Sequence, residues 1–295
     1  MGMPIRPRRS VLYMPGSNAR ALEKAKSLAA DSLIFDLEDA VAPDAKEEAR
    51  RLVIAAVAGG GYGRREILIR VNGLATPWGR DDIIAAAKSG ADGILVPKTE
   101  SPDMMRQVEG IMVEAGAPSD LALWAMIETP RGVLAVEAVA GATPRLAGLI
   151  MGTSDLAKDL HCAHTRDRLP MLHALGRCLL AARAFDLTIL DGVHLDLADD
   201  EGLAFACRQG LEMGFDGKTL IHPKTIDAAN RIFAPSEEDL AWSRRIIAAH
   251  ADAESSGRGV VVVDGRLVEN LHVINARRLV ALAERIELMD DVRPL

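Results

Sequence analysis

Thiols and aromatic rings are scarce in this chain. Only 3 Cys occur, Cys162, Cys178 and Cys207. The count is odd and no pair has C-x-x-C spacing, so neither a disulfide framework nor a thiolate metal site is indicated, and the usage fits a reducing cytoplasm. Aromatic residues make up 3%, from 5 Phe, 3 Trp and 2 Tyr, too few to line a base-stacking surface. A core drawn instead from Ala, Leu, Val and Ile suits layered helix and sheet packing better than a small sandwich. Long apolar runs are also missing: no stretch reaches the ~20 residues of a membrane helix. The opening MGMPIRPRRS is a short polar lead-in without an apolar targeting core. There is no excess of positive charge either. The formal net charge is -7, from 35 basic and 42 acidic residues, so the surface field repels polyanions and offers no footprint for nucleic acid.

What is present is a globular composition, 49% hydrophobic and 26% charged over 295 residues. Short apolar runs rich in Val, Ile and Leu recur, at Ser10 to Pro15, Ser32 to Leu37, Glu66 to Val71, Gly93 to Pro97, Leu121 to Glu128, Leu146 to Gly152, Thr188 to Asp191 and Lys218 to His222. Each precedes an Ala-rich amphipathic stretch; the first three of these run from Ala19 to Ala30, Ala45 to Ala58 and Arg80 to Ser89. Strands apolar on both faces and separated by helices predict a parallel sheet covered by helices. Eight such units predict an α/β protein of the closed (β/α)8, or TIM barrel, kind over residues 1–234. An open doubly wound sheet would want G-x-G-x-x-G after the first strand, where Pro15-Gly16-Ser17-Asn18 is too short. Gly214-Phe-Asp-Gly-Lys-Thr219 ends like a phosphate loop, but the leading Gly position is Glu212. After His222 the rhythm changes to a helix from Glu237, a hairpin over Val260 to Val268 turning at Asp264-Gly265, and a last helix over Leu271 to Met289. Residues 235–295 therefore read as a helix–hairpin–helix appendage, a lid or an oligomer arm.

The working face of such a barrel lies at the C-terminal ends of its strands. The polar residues there are Asp36, Glu38 and Asp39; Arg70 and Asn72; Lys98; Glu128; Ser154 and Asp155; Asp191; and His222. Carboxylates with no Cys and little His suit a hard cation, Mg²⁺ with Mn²⁺ as second choice, rather than zinc. Glu128 and Asp155 end successive strands, close enough to share one ion, although an acidic residue at Asp155 would also serve as an ordinary helix cap. Arg70 interrupts an apolar strand, so it either pairs with Glu38 or Asp39 or grips a carboxylate or enolate oxygen. Of the three acids in Asp36-Leu-Glu38-Asp39, some would hold water or orient Arg70 and Lys98. Lys98, among so many acids, would stay protonated and be a poor Schiff-base former. His161-Cys162-Ala-His164 lies in a polar linker and reads as a loop.

Taken in order, Arg9-Ser-Val-Leu-Tyr-Met-Pro-Gly-Ser17, Ile34-Phe-Asp-Leu-Glu-Asp-Ala-Val-Ala-Pro43, Ile69-Arg-Val-Asn72, Gly93-Ile-Leu-Val-Pro-Lys98, Ile127-Glu-Thr129, Gly217-Lys-Thr-Leu-Ile-His-Pro223 and Pro235-Ser-Glu-Glu238 resemble the citrate lyase β-subunit-like family. That group includes malyl-CoA and citramalyl-CoA lyases among the metal-dependent pyruvate-type aldolases. The resemblance spans about Arg9 to Leu279. It implies a TIM barrel with one Mg²⁺ that cleaves or forms a C–C bond in a 3-hydroxyacyl-CoA, with an acyl-CoA and a 2-oxoacid as small-molecule partners, and a homotrimer or homohexamer. By motif, Arg70 and Glu128 would contact substrate, Glu128 and Asp155 would bind the metal, and Arg70 and Asp36 would belong to the catalytic group. The family's tail acid/base Asp corresponds to Glu269, whose extra methylene moves the carboxyl by more than ~1 Å. Alternatives are a thioesterase on the same CoA substrates, an aldolase on free oxo-acids, and a citrate-lyase-type subunit acting on a carrier-bound acyl group.

Overall fold

Strands that are apolar on both faces are stable only where both faces are covered. In the computed structural model, which describes residues 5–255 and 261–290, they close on themselves. β1 (Ser10–Pro15), β2 (Ser32–Asp36), β3 (Glu66–Arg70), β4 (Gly93–Val96), β5 (Ala122–Ile127), β6 (Leu146–Met151), β7 (Thr188–Asp191) and β8 (Gly217–Leu220) form a closed parallel barrel in sequence order. Closure is made by β1 on β8, with Ser10 opposite Lys218 and Leu12 opposite Leu220. The helices between strands are α1 (Ala19–Lys24), α2 (Lys46–Gly59), α3 (Gly79–Ala87), α4 (Pro102–Glu114), α5 (Pro130–Ala140), α6 (Thr153–Asp159), α7 (Leu172–Ala184), α8 (Asp200–Met213) and α9 (Ile226–Phe233). The fold is the expected α/β TIM barrel.

Alternation along each strand separates two cores. Leu12, Leu33, Phe35, Ile67, Ile69, Ile94, Leu149 and Ile189 pack outward against the helices. Val11, Ile34, Leu68, Leu95, Trp124, Ile150 and Leu190 fill the barrel itself. At the N-terminal end of the strands Arg8 donates two hydrogen bonds to Glu66, at 2.6 and 2.7 Å, while its guanidinium lies 5.0 Å from the ring centroid of Trp124. That ion pair and the indole, which is 0% exposed, stopper the base of the barrel.

Local differences from the expected elements have local causes. α1 ends at Lys24 and tightens into a 3₁₀ turn rather than running to Ala30, because the Ser27 hydroxyl donates to the Lys24 carbonyl at 2.9 Å and Leu28 turns extended. α6 is unexpected; at seven residues it shows no helical period in the sequence.

Contacts divide the chain into two compact units, Arg8–Phe233 and a second from Ala234 onward together with the first residues. In the second, α10 (Glu237–Ser255), the hairpin β9 (Val261–Val263) and β10 (Arg266–Val268), and α11 (Asn270–Asp290) bury Ile246, Val263, Val268, Val273 and Ala276. Asp264 and Gly265 both have positive φ, 49° and 77°, the turn that a two-residue hairpin requires. Val260, where the sequence starts this hairpin, lies outside the described residues.

Candidate active site

A residue two places beyond an interior aliphatic also faces the barrel axis. Counting from Val11, Ile34, Leu68 and Trp124 turns Tyr13, Asp36, Arg70 and Met126 toward the axis, with Glu128 a further two residues beyond Met126. Asp36 and Arg70 end neighbouring strands and are register partners. Asp36 accepts from Arg70 Nε at 2.7 Å and from Nη2 at 2.6 Å, and also takes the backbone N–H groups of Glu38 and Ala40 at 2.9 and 3.0 Å. Arg70 Nη1 stands 2.9 Å from Glu38 Oε2 as an ion pair, and the guanidinium lies 5.0 Å from the centroid of Tyr13. Burial alone would lower the Arg70 pKa, but the Asp36 bonds and charge outweigh it and raise it, so the group stays cationic. Burial pushes the Glu38 carboxyl up, against the opposing charge of Arg70.

Glu128 follows β5 and is 1% exposed. Its Oε1 accepts the Lys98 backbone N–H at 2.7 Å, which Lys98 presents from a left-handed conformation, φ 47°. Such strain in a non-glycine residue is tolerated where the surroundings fix it. Desolvation pushes Glu128 up to about 7, with the Lys98 N–H pulling the other way. The Lys98 ammonium bonds Glu38 Oε1 and lies 3.7 Å from Asp155 Oδ2. Its pKa is raised: burial would lower it, but the Glu38 bond and the surrounding carboxylates prevail. Asp155 sits in the first turn of α6. Between the two acids lies Gly152, where a Cβ would stand 2.4 Å from Glu128 Cβ and 2.6 Å from Oε2; only glycine leaves the Glu128 carboxyl that space.

This donor set fits a hard divalent cation. Glu128 is a buried carboxylate whose pKa is raised by desolvation, and Asp155 offers a second oxygen at the next strand end. Among the described residues no three His, Cys, Asp or Glu side chains converge on an ion.

The structure thus brings Asp36, Arg70, Glu128 and Asp155 to the strand ends, joined through Glu38 and Lys98. Glu269 belongs to the second unit, exposed immediately before α11, where its backbone N–H donates to His272 Nδ1 at 3.0 Å. His222 caps the following turn through Nδ1. Tyr13, Met126 and Gly152 escaped the reading by residue type, although the two-residue period from Val11 and Trp124 points to the first two.

The HpcH/HpaI aldolase/citrate lyase family matches residues 9–223. The chain belongs to that family. Within the HpcH/HpaI family it is 52% identical over 280 residues to the (3S)-malyl-CoA thioesterase of Cereibacter sphaeroides, covering 95% of this chain and 96% of that protein. It is 35% identical over 291 residues to the citrate lyase subunit beta of Leuconostoc mesenteroides, covering 97% and 96%. The crystal structure of protein CitE from Mycobacterium tuberculosis, in complex with magnesium, acetoacetate and coenzyme A, aligns with a TM-score of 0.75 at 30% identity, over 95% of this chain and 98% of that one. The chain is accordingly an enzyme of the aldolase/citrate lyase family. No described helix is long and apolar enough to cross a membrane.

Proposed function

We propose that this protein is a divalent-metal-dependent enzyme acting on a malyl-type CoA thioester, that Glu128 and Asp155 hold the metal, with Mg²⁺ before Mn²⁺, and that hydrolysis of the thioester is its main reaction. The observation that carries this is the juxtaposition of a fixed guanidinium, Arg70 on Asp36, with the buried carboxylate of Glu128. The relative named a malyl-CoA thioesterase, at 52% identity, supports hydrolysis. When bound, the metal supplies Lewis-acid polarisation of the substrate oxygens next to the free carboxylate end.

Arg70 supplies a preorganised positive charge for the thioester carbonyl oxygen. In hydrolysis that oxygen becomes negative as water adds to the carbonyl carbon. The C–S bond then breaks, the thiolate takes a proton, and the hydroxy acid leaves as a carboxylate. Asp36 acts through Arg70 as a positioning residue. Lys98 fixes Glu38 and, through its N–H, the orientation of Glu128. Glu269 is the proposed acid/base, on the motif alone.

A second reading uses the same oxygen. The relative named citrate lyase subunit beta favours C–C cleavage, in which the hydroxyl proton is removed, the bond electrons flow to the thioester oxygen as an enolate held by Arg70, and protonation of the enolate carbon completes an acyl-CoA beside a 2-oxoacid. Incubation with malyl-CoA, with and without chelator, while free thiol and 2-oxoacid are both measured, separates the readings. Thiol without oxo-acid is expected, and oxo-acid without thiol would make it a lyase. Oxo-acid from substrates lacking CoA would make it a simple aldolase. Co-purification with an acyl carrier and no turnover of free thioesters would make it a carrier-dependent subunit. Turnover unchanged by chelator would refute the metal. A homotrimer or homohexamer is proposed for the assembly, to be checked by light scattering.

A further inference from the structure

Outside the site just described, the linker after α6 and the loop after β7 enclose a cavity of about 310 Å³ against the barrel wall. Its base holds a buried triad in which one carboxylate serves two cations. Asp191, 0% exposed, accepts from Lys218 Nζ at 2.8 Å and from Arg168 Nη1 at 2.6 Å. Lys218 is 1% and Arg168 8% exposed, so the triad carries one buried positive charge in excess. Buried charge without a counter-charge is costly. Arg168 also spends Nε on Gln209 at 2.7 Å, but its Nη2 is buried without a hydrogen-bond partner, as is Nε2 of His194 on the facing loop. Arg168 holds this place from a left-handed backbone, φ 55°.

The outer part of the cavity carries charge of both signs. His164 and Arg166 line it from the exposed linker, and Arg166 stacks over Phe205 at 5.4 Å. The two acids on the lining are engaged locally: Asp199 Oδ1 accepts the Gly202 N–H at 2.8 Å as the cap of α8, and Asp196 Oδ1 accepts the Ala198 N–H at 2.9 Å. Arginine and lysine side chains therefore stand at two depths, Arg168 and Lys218 within and Arg166 at the surface, in a space the size of a small metabolite site.

We infer that this cavity is a binding site for a small dicarboxylate anion, separate from the thioester site, with one carboxylate offsetting the Arg168–Lys218 excess and the other meeting Arg166 and His194. Charge at both ends of the ligand matches cations at both depths. The inference does not depend on which bond the enzyme breaks.

Succinate is a suitable probe, since it lacks the hydroxyl or oxo group that the substrate site would chelate. Titration of the full chain by calorimetry in chelator-containing buffer at fixed ionic strength is expected to show one site and a rise in melting temperature. Arg166→Gln and His194→Gln, both away from the buried triad, are each expected to weaken it about tenfold. Glu128→Gln is expected to leave it unchanged. The inference fails if no succinate binds at 10 mM or so, if both variants bind like the parent, or if Glu128→Gln abolishes binding. Inorganic phosphate binding as tightly as succinate would also overturn the dicarboxylate assignment.

Discussion

Asp36 grips Arg70 at two points, Oδ1 on Nε and Oδ2 on Nη2, across the seam between two neighbouring strand ends. The planar guanidinium cannot rotate without breaking both bonds, so its outer nitrogen keeps one direction. In the proposed mechanism, what Arg70 does for a substrate oxygen depends on that clamp.

Replacing Asp36 by Asn keeps the shape and removes the charge. Turnover of the CoA thioester is expected to fall about 10²-fold or more, and the protein to lose roughly 3 kcal/mol by urea unfolding, because Arg70 stays buried with weaker compensation. A variant with parental kcat would show that Arg70 needs no positioning.

Glu128 couples stability to pH. Its folded pKa of about 7 lies above the ordinary 4.5, so the stability it contributes is full below 4.5 and is lost as pH rises through 7, a loss of order 3 kcal/mol. In metal-free protein, Glu128→Gln is therefore expected to gain stability relative to the parent between pH 5 and 8. Added Mg²⁺ should reverse the order by stabilising only the parent, as melting curves would record.

At Gly152 a methyl group would collide with the Glu128 side chain. Gly152→Ala is expected to displace that carboxyl, weaken Mn²⁺ binding at least tenfold and destabilise the fold by ~1–3 kcal/mol. Metal titration followed by electron paramagnetic resonance would test it, and parental affinity would rule out the proposed ligand position.

The base of the barrel offers the converse. Arg8→Met strips Glu66 of its bidentate partner and is expected to cost roughly 3–5 kcal/mol of stability while kcat of the folded fraction stays within about twofold, since stability and catalysis reside at opposite ends. A large fall in kcat would mean that the two ends communicate.

The barrel was legible because its strands are apolar on both faces, which leaves little architecture but a covered parallel sheet. Strand ends were legible for the same reason: Arg70, Glu128 and Asp155 stand out where an apolar run meets polar residues. What stayed hidden depends on register and on contacts across long sequence separations. That acids after β2 would meet Arg70 was legible, but that Asp36 makes the two-point clamp follows from how β2 and β3 pair. Tyr13 beneath the guanidinium requires the closed curvature of the sheet. The Arg168–Asp191–Lys218 triad is assembled from a linker and two strands, none of which bears a motif for it.

The stopper made by Arg8, Glu66 and Trp124, with the aliphatic layer above it, leaves no channel along the barrel axis. Arg70 and Glu128 are therefore held from below by packed side chains, and anything that meets them comes from the side of the strand ends.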